Sequence, residues 1–241
     1  MIKLFVLKID DNNEDILLSK MSLLSCEEKD KADRFKYPRD KALSLGGRLL
    51  LFCFGNRFRE ENYVNLNFVN DLEEFKKENM ADFEIRYDEL GKGYVNQNNY
   101  VNRNKKVDPE APKEAEDNLY YNISHSGDYV VCAFSDAPVG VDIQKIKPLK
   151  ENFAKRYFNE KDNIYIESVG ESEKTDRMIK VWTSKESYSK LTGKGISGGF
   201  NGFYEDFEKM RTIDAQTGQE LAEITEFTVD SAYYCFASSP V

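Results

Sequence analysis

Between residues 96 and 118 the chain almost runs out of large aliphatic side chains, with only Val101 and Val107 among Asn, Lys, Glu, Asp and Pro. A stretch that poor in apolar surface cannot pack a core, so it reads as a long surface loop that splits the 241 residues in two. The division predicts an N-terminal lobe over 1–100, a polar loop over 101–118 and a C-terminal lobe over 119–241. Each half mixes one or two helical patterns with several short β-rich runs, which points to an α+β fold.

In the first half, residues 2–9 read as a strand and 10–15 as a polar turn. Ser25, with Glu28 three residues on, opens a helix that runs through Arg34 and Phe35. Tyr37-Pro38 ends it, and a second helix over 40–54 carries Ala42, Leu45, Leu49 and Phe52 on one face. Short strands are expected near 65–69 and 83–87, then a turn at Gly91-Lys92-Gly93. In the second half, strands are expected over 120–124, 129–134 and 139–143. Helices over 152–168 and 176–191 follow, the latter ended by Gly193, with closing strands near 223–229 and 233–238.

Acidic residues outnumber basic ones by 43 to 34, a formal charge of −9 that argues against a protein built to grip nucleic-acid phosphates. The longest apolar run, residues 49–54, is far short of the roughly 20 residues of a membrane span. Lys3, Lys8 and Asp10 break any signal-peptide core, so the expectation is a cytoplasmic protein with no membrane partner. Cys26, Cys53, Cys132 and Cys235 are widely scattered, as reduced structural thiols are. His125 is the sole histidine, which excludes multi-histidine metal sites and leaves oxygen ligands and magnesium as the natural metal chemistry.

Three islands of the second half carry chemistry: Asn122-Ile123-Ser124-His125-Ser126, Val141-Asp142-Ile143-Gln144, and the run from Trp182 through Lys185, Glu186, Ser187 and Lys190. On a strand, Asp142 and Gln144 share one face and present two oxygen donors that can hold a hard cation. On a helix, Trp182, Glu186 and Lys190 lie at i, i+4 and i+8, which puts an acid and a base on one stripe. Taken alone, such a pair is an ordinary surface salt bridge.

In this order and spacing, the islands, followed by Gly193-Lys194-Gly195, resemble the core signatures of the large, Sfp-type 4′-phosphopantetheinyl transferases. Arg34-Phe35, Arg39-Asp40, Gly47-Arg48 and Gly91-Lys92 extend the likeness more loosely into the first half. The resemblance implies two similar lobes related by pseudo-twofold symmetry, with the active site in the cleft between them. It implies a magnesium-dependent monomer that attaches the phosphopantetheine arm of coenzyme A to a serine of an acyl or peptidyl carrier protein, releasing 3′,5′-ADP. Under it, Asp142, Gln144 and Glu186 are the metal ligands, Glu186 and Lys190 the catalytic residues. Lys31, Arg39, Lys92, Ser124, His125 and Lys190 are the coenzyme A contacts. Members often carry Glu where Gln144 stands, Pro where Gly93 stands and Lys where Glu28 stands. The rival reading is a non-catalytic relative that binds nucleotide or carrier protein; the joint presence of Asp142, Glu186, Lys190 and His125 speaks against it.

Charge gives a further expectation, because coenzyme A and typical carrier proteins are anionic while the chain is acidic. Residues 145–156 hold Lys145, Lys147, Lys150, Lys155 and Arg156 against Glu151 alone, a patch suited to an anionic partner.

Overall fold

The computed structural model describes residues 1–81, 85–89, 91–96, 118–149, 152–195 and 199–241. It forms two compact units, Met1–Ala137 and Pro138–Val241, each of α+β build. The expected loop over 101–118 lies, except for its last residue, outside the described residues.

The division falls at Ala137, some twenty residues beyond the boundary expected from the polar stretch. The reason is strand pairing. In the first unit, β1 (Ile2–Lys8) runs antiparallel to β6 (Tyr129–Ser135), which pairs with β5 (Asn118–Ser126). With β2 (Leu66–Phe68), β3 (Ile85–Tyr87) and β4 (Gly93–Asn96) they make one sheet in the order β2-β1-β6-β5-β4-β3. Strands expected to open the C-terminal lobe thus complete the N-terminal one.

Three helices accompany this sheet: α1 (Glu14–Ser19), α2 (Cys26–Asp33) and α3 (Pro38–Phe54). The hydroxyl of Ser25 accepts from the Glu28 amide at 3.3 Å, as the capping pattern predicts, and Pro38 stands at the start of α3. Helix α1 replaces part of the expected polar turn. The buried face of α3, with Leu45, Leu49, Leu50 and Cys53, joins Phe5, Leu7, Val130, Cys132 and Phe134 in one core. Close approach depends on Gly47, where a Cβ would stand 2.6 Å from Ile123 Cγ2.

The second unit has its own antiparallel sheet, β7-β11-β10-β9-β8. Its strands are β7 (Gly140–Lys145), β8 (Phe203–Asp206), β9 (Arg211–Asp214), β10 (Glu220–Glu226) and β11 (Tyr233–Ser239). The β8–β9 hairpin was not expected from the sequence. Nor was a break in the helix anticipated over 152–168, which divides into α4 (Phe153–Tyr157) and α5 (Glu160–Glu167). Asn159 causes the break by capping α5: its side chain accepts from the Lys161 amide, while Asp162 accepts from the Asn159 amide. The 22-residue α6 (Glu171–Thr192) starts five residues before the expected 176 and ends on Gly193 at φ +70°, a left-handed cap that glycine adopts freely. No disulfide joins the cysteines; Cys26 is exposed and the other three are buried.

Candidate active site

The acidic site of the second unit is built by one strand and one helix. On β7 the backbone runs beside β11, with Asp142 opposite Phe236 and Gln144 opposite Tyr234. Asp142 is only 6% exposed, and Gln144, two residues on and so on the same strand face, is half-buried. On α6, Lys190 donates to Asp142 Oδ1 at 2.7 Å.

Helix and strand come this close because of Gly140. A Cβ there would lie 2.1 Å from the Ser187 carbonyl oxygen and 2.3 Å from the Leu191 amide nitrogen, so the backbone of α6 rests directly on the start of β7. A hydroxyl contact of 2.6 Å between Ser187 and Ser238 on β11 fixes the same approach. The sequence signal for Gly140 was a glycine inside an otherwise apolar strand pattern, a mark of close backbone contact that the motif reading passed over.

Glu186 lies one turn before Lys190 on α6. Burial first, and then the charge of Asp142, push its carboxyl up to about 7, while Lys190 pulls the other way. Its Oε1 is buried with no hydrogen-bond partner among the described residues. Two neighbouring carboxylates, one with an unsatisfied buried oxygen, form a site that would accept a cation, and carboxylate and amide oxygens suit a hard ion such as magnesium. Among the described residues no group of three or more His, Cys, Asp or Glu side chains gathers, so any such ion would rest on two carboxylates and non-acidic donors.

The rest of the motif helix is structural. Trp182 packs edge-on against Phe153 and Phe200, at 5.1 and 5.5 Å between ring centres, rather than continuing the acid–base stripe. Lys185, next to Glu186, points the other way and is fully buried. Its ammonium meets Asp162 at 2.8 Å and donates to the carbonyls of Phe200 and Phe203 at 2.9 and 2.6 Å. Below it, Glu205 accepts from Ser184 and Thr212, and burial raises its carboxyl to about 7. None of this network was read from the sequence, although a lysine four residues after the buried Val181 occupies a core-facing helical position.

The remaining expected site residues belong to the first unit. Ser124 is buried and His125 exposed on β5. Lys31 bridges Glu27 and Glu28 at 2.9 Å each, which raises its pKa, and Glu28 also pairs with Arg48 at 2.8 Å. Glu28, the departure from the usual Lys, is therefore a buried hub for two cations. Lys92 is partly buried, and desolvation lowers its pKa. Arg39 is committed to Glu14, Asp128 and the Ile9 carbonyl. Gly93 leaves room for Tyr121, whose hydroxyl would sit 2.3 Å from a Cβ at that position.

Comparison with known proteins finds relatives of this chain. The profile of the 4′-phosphopantetheinyl transferase superfamily matches residues 138–239, which is nearly all of the second unit. The chain is 35% identical over 122 residues to 4′-phosphopantetheinyl transferase gsp of Aneurinibacillus migulanus, covering 50% of this chain and 52% of that one, about half its length. Against 4′-phosphopantetheinyl transferase Sfp of Bacillus subtilis strain 168 the identity is 27% over 219 residues, covering 88% of this chain and 80% of the relative. A putative 4′-phosphopantetheinyl transferase of Synechocystis is 30% identical over 183 residues, or 75% of this chain and 61% of that one.

Proposed function

We propose, from the premise that this chain belongs to the 4′-phosphopantetheinyl transferase superfamily, that it moves the phosphopantetheine arm of coenzyme A onto a serine hydroxyl of a carrier protein and releases 3′,5′-ADP. The observation that carries the reading is the convergence of Asp142, from a strand, with Glu186 and Lys190, from a helix more than forty residues away.

Asp142 and Glu186 would hold magnesium, with Gln144 as a secondary oxygen donor. Bound there, the ion supplies positive charge against the pyrophosphate oxygens of coenzyme A. Lys190 stabilises charge that grows on the leaving phosphate. Glu186, or a water that it holds, would accept the proton of the attacking serine. The nucleophile belongs to the partner. Lys31, Lys92, Ser124 and His125 are the groups we assign to the nucleotide end of coenzyme A. Arg39 acts there indirectly, by pinning Asp128 and the end of β1.

Monomeric action in the cytoplasm and the likeness of the two lobes belong to the same proposal. Each unit pairs one long helix with a largely antiparallel sheet, and no described helix is long and apolar enough to cross a membrane. The test is incubation with magnesium, coenzyme A and a panel of purified apo carrier proteins, read by intact mass. A gain of one phosphopantetheine arm on some carrier, absent without the metal, is the expected result. No gain on any carrier would favour the non-catalytic binder.

A further inference from the structure

Asp142 and Lys190 form an ion pair whose acidic side is nearly buried, at 9% side-chain exposure, and whose basic side is 28% exposed. A carboxylate so deep needs a compensating cation, and the ammonium at 2.7 Å provides it. The oxygen that receives Lys190 belongs to the same carboxylate that the proposed magnesium would use. Lys190 also reaches it on a flexible four-carbon stem, so its ammonium can leave without any movement of α6.

We propose that Lys190 is a built-in competitor for Asp142: it holds down the affinity of the acidic pair for a divalent ion, and the ion's arrival releases the ammonium to a phosphate. This rests on the reading of Asp142 and Glu186 as metal ligands. Charge counting gives the direction. With both carboxylates ionised, as they must be to hold the ion, two carboxylates and one ammonium sum to −1, and a divalent ion turns the site to +1, favourable for a phosphate anion. The lysine therefore weakens metal binding when the metal comes alone and favours metal and phosphate together. By linkage, coenzyme A must then tighten the metal by the same factor as the metal tightens coenzyme A.

The experiment is a manganese titration, by calorimetry or electron paramagnetic resonance, with and without coenzyme A. A ligand-free titration reads the competition apart from activity. Lys190→Met should bind manganese roughly tenfold more tightly than the unaltered protein, as expected for removing one nearby positive charge at a partly screened site. Lys190→Arg, which keeps the charge, should stay near the unaltered affinity. Coenzyme A should tighten manganese in the unaltered protein by a larger factor than in Lys190→Met. Equal or weaker manganese binding by a folded Lys190→Met, checked by thermal melting, overturns the inference. If Asp142→Asn abolishes manganese binding while Lys190→Met leaves it unchanged, the competition alone falls. If Asp142→Asn changes nothing, or the unaltered protein binds no manganese, the metal reading falls and the competition with it.

Discussion

Asp142 and Gln144 share a strand face but not an environment, since one carboxylate is buried against Lys190 and the neighbouring amide is half in solvent. Asp142→Ala is therefore expected to lower kcat/KM by about 10²–10³-fold, the range seen when one electrostatic group is removed from a reaction site. Gln144→Ala should lower it by no more than about tenfold, in line with loss of a supporting partner. Steady-state kinetics on a common carrier protein gives the comparison, and an equal loss in both variants would contradict the ranking. Gly140 gives the sharpest steric expectation, because its missing Cβ faces backbone rather than a movable side chain. Gly140→Ala must push α6 away from β7, so it should lose about 1–3 kcal/mol of stability in urea unfolding and separate Lys190 from Asp142. At this scale the sequence placed Asp142 on a strand and Glu186 and Lys190 one turn apart on a helix, because motif residues keep their spacing on regular elements. It did not show the burial of Lys185 or the hub role of Glu28, since both depend on residues distant in the chain.

Helix α6 joins the Asp142–Lys190 pair to the rest of the unit, and its other side rests on the Lys185–Asp162 pair. Breaking that pair leaves one charge uncompensated in a dry interior, so Lys185→Met should cost about 3–5 kcal/mol. Adding Asp162→Asn in the same chain should recover part of the loss, and chemical denaturation of the single and double variants measures it. Glu205 adds a pH dependence. Its folded pKa of about 7 stands above the ordinary 4.5, so the native state binds the proton more tightly than the unfolded chain does. Glu205 thus weighs nothing against folding below about 4.5, grows unfavourable as pH rises to about 7 and is constant above that, at up to about 3 kcal/mol. Glu205→Gln, with no charge to bury, should gain stability relative to the unaltered protein between pH 5 and pH 8. Urea midpoints whose difference is the same at both values would refute this. Elements with strong periodicity, such as α3 and α6, were legible beforehand. The β8–β9 hairpin was not, because two four-residue strands among Gly, Asp and Glu carry too short an alternation to read. The break at Asn159 was hidden for another reason: the apolar pattern continues across it, and only the cap reveals the stop.

At the level of the whole chain, the unit boundary was misplaced because sheet pairing is non-local: β1 selects β6, more than a hundred residues on, and no local composition reports that choice. The net charge raises a related question of range. A chain of −9 repels an anionic carrier protein at long distance, yet Lys145, Lys147, Lys155 and Arg156 are exposed together in sequence on the second unit, while Lys150 and Glu151 lie outside the described residues. Screening decides which effect a carrier meets. At about 0.01 M salt the Debye length is roughly 30 Å and the repulsion of the entire molecule is felt; at about 0.1 M it is roughly 10 Å, and only charges in the contact itself count. Above about 0.1 M, added salt therefore removes local attraction without relieving any remaining repulsion. The Michaelis constant for the carrier should rise several-fold between about 0.1 and 0.5 M salt with kcat little changed, the signature of weakened encounter. Reversing Lys155 and Arg156 to Glu should raise the constant at about 0.1 M and flatten its dependence on salt. A Michaelis constant that falls steadily with salt in the unaltered protein would mean that the global charge outweighs the patch and that the carrier docks elsewhere.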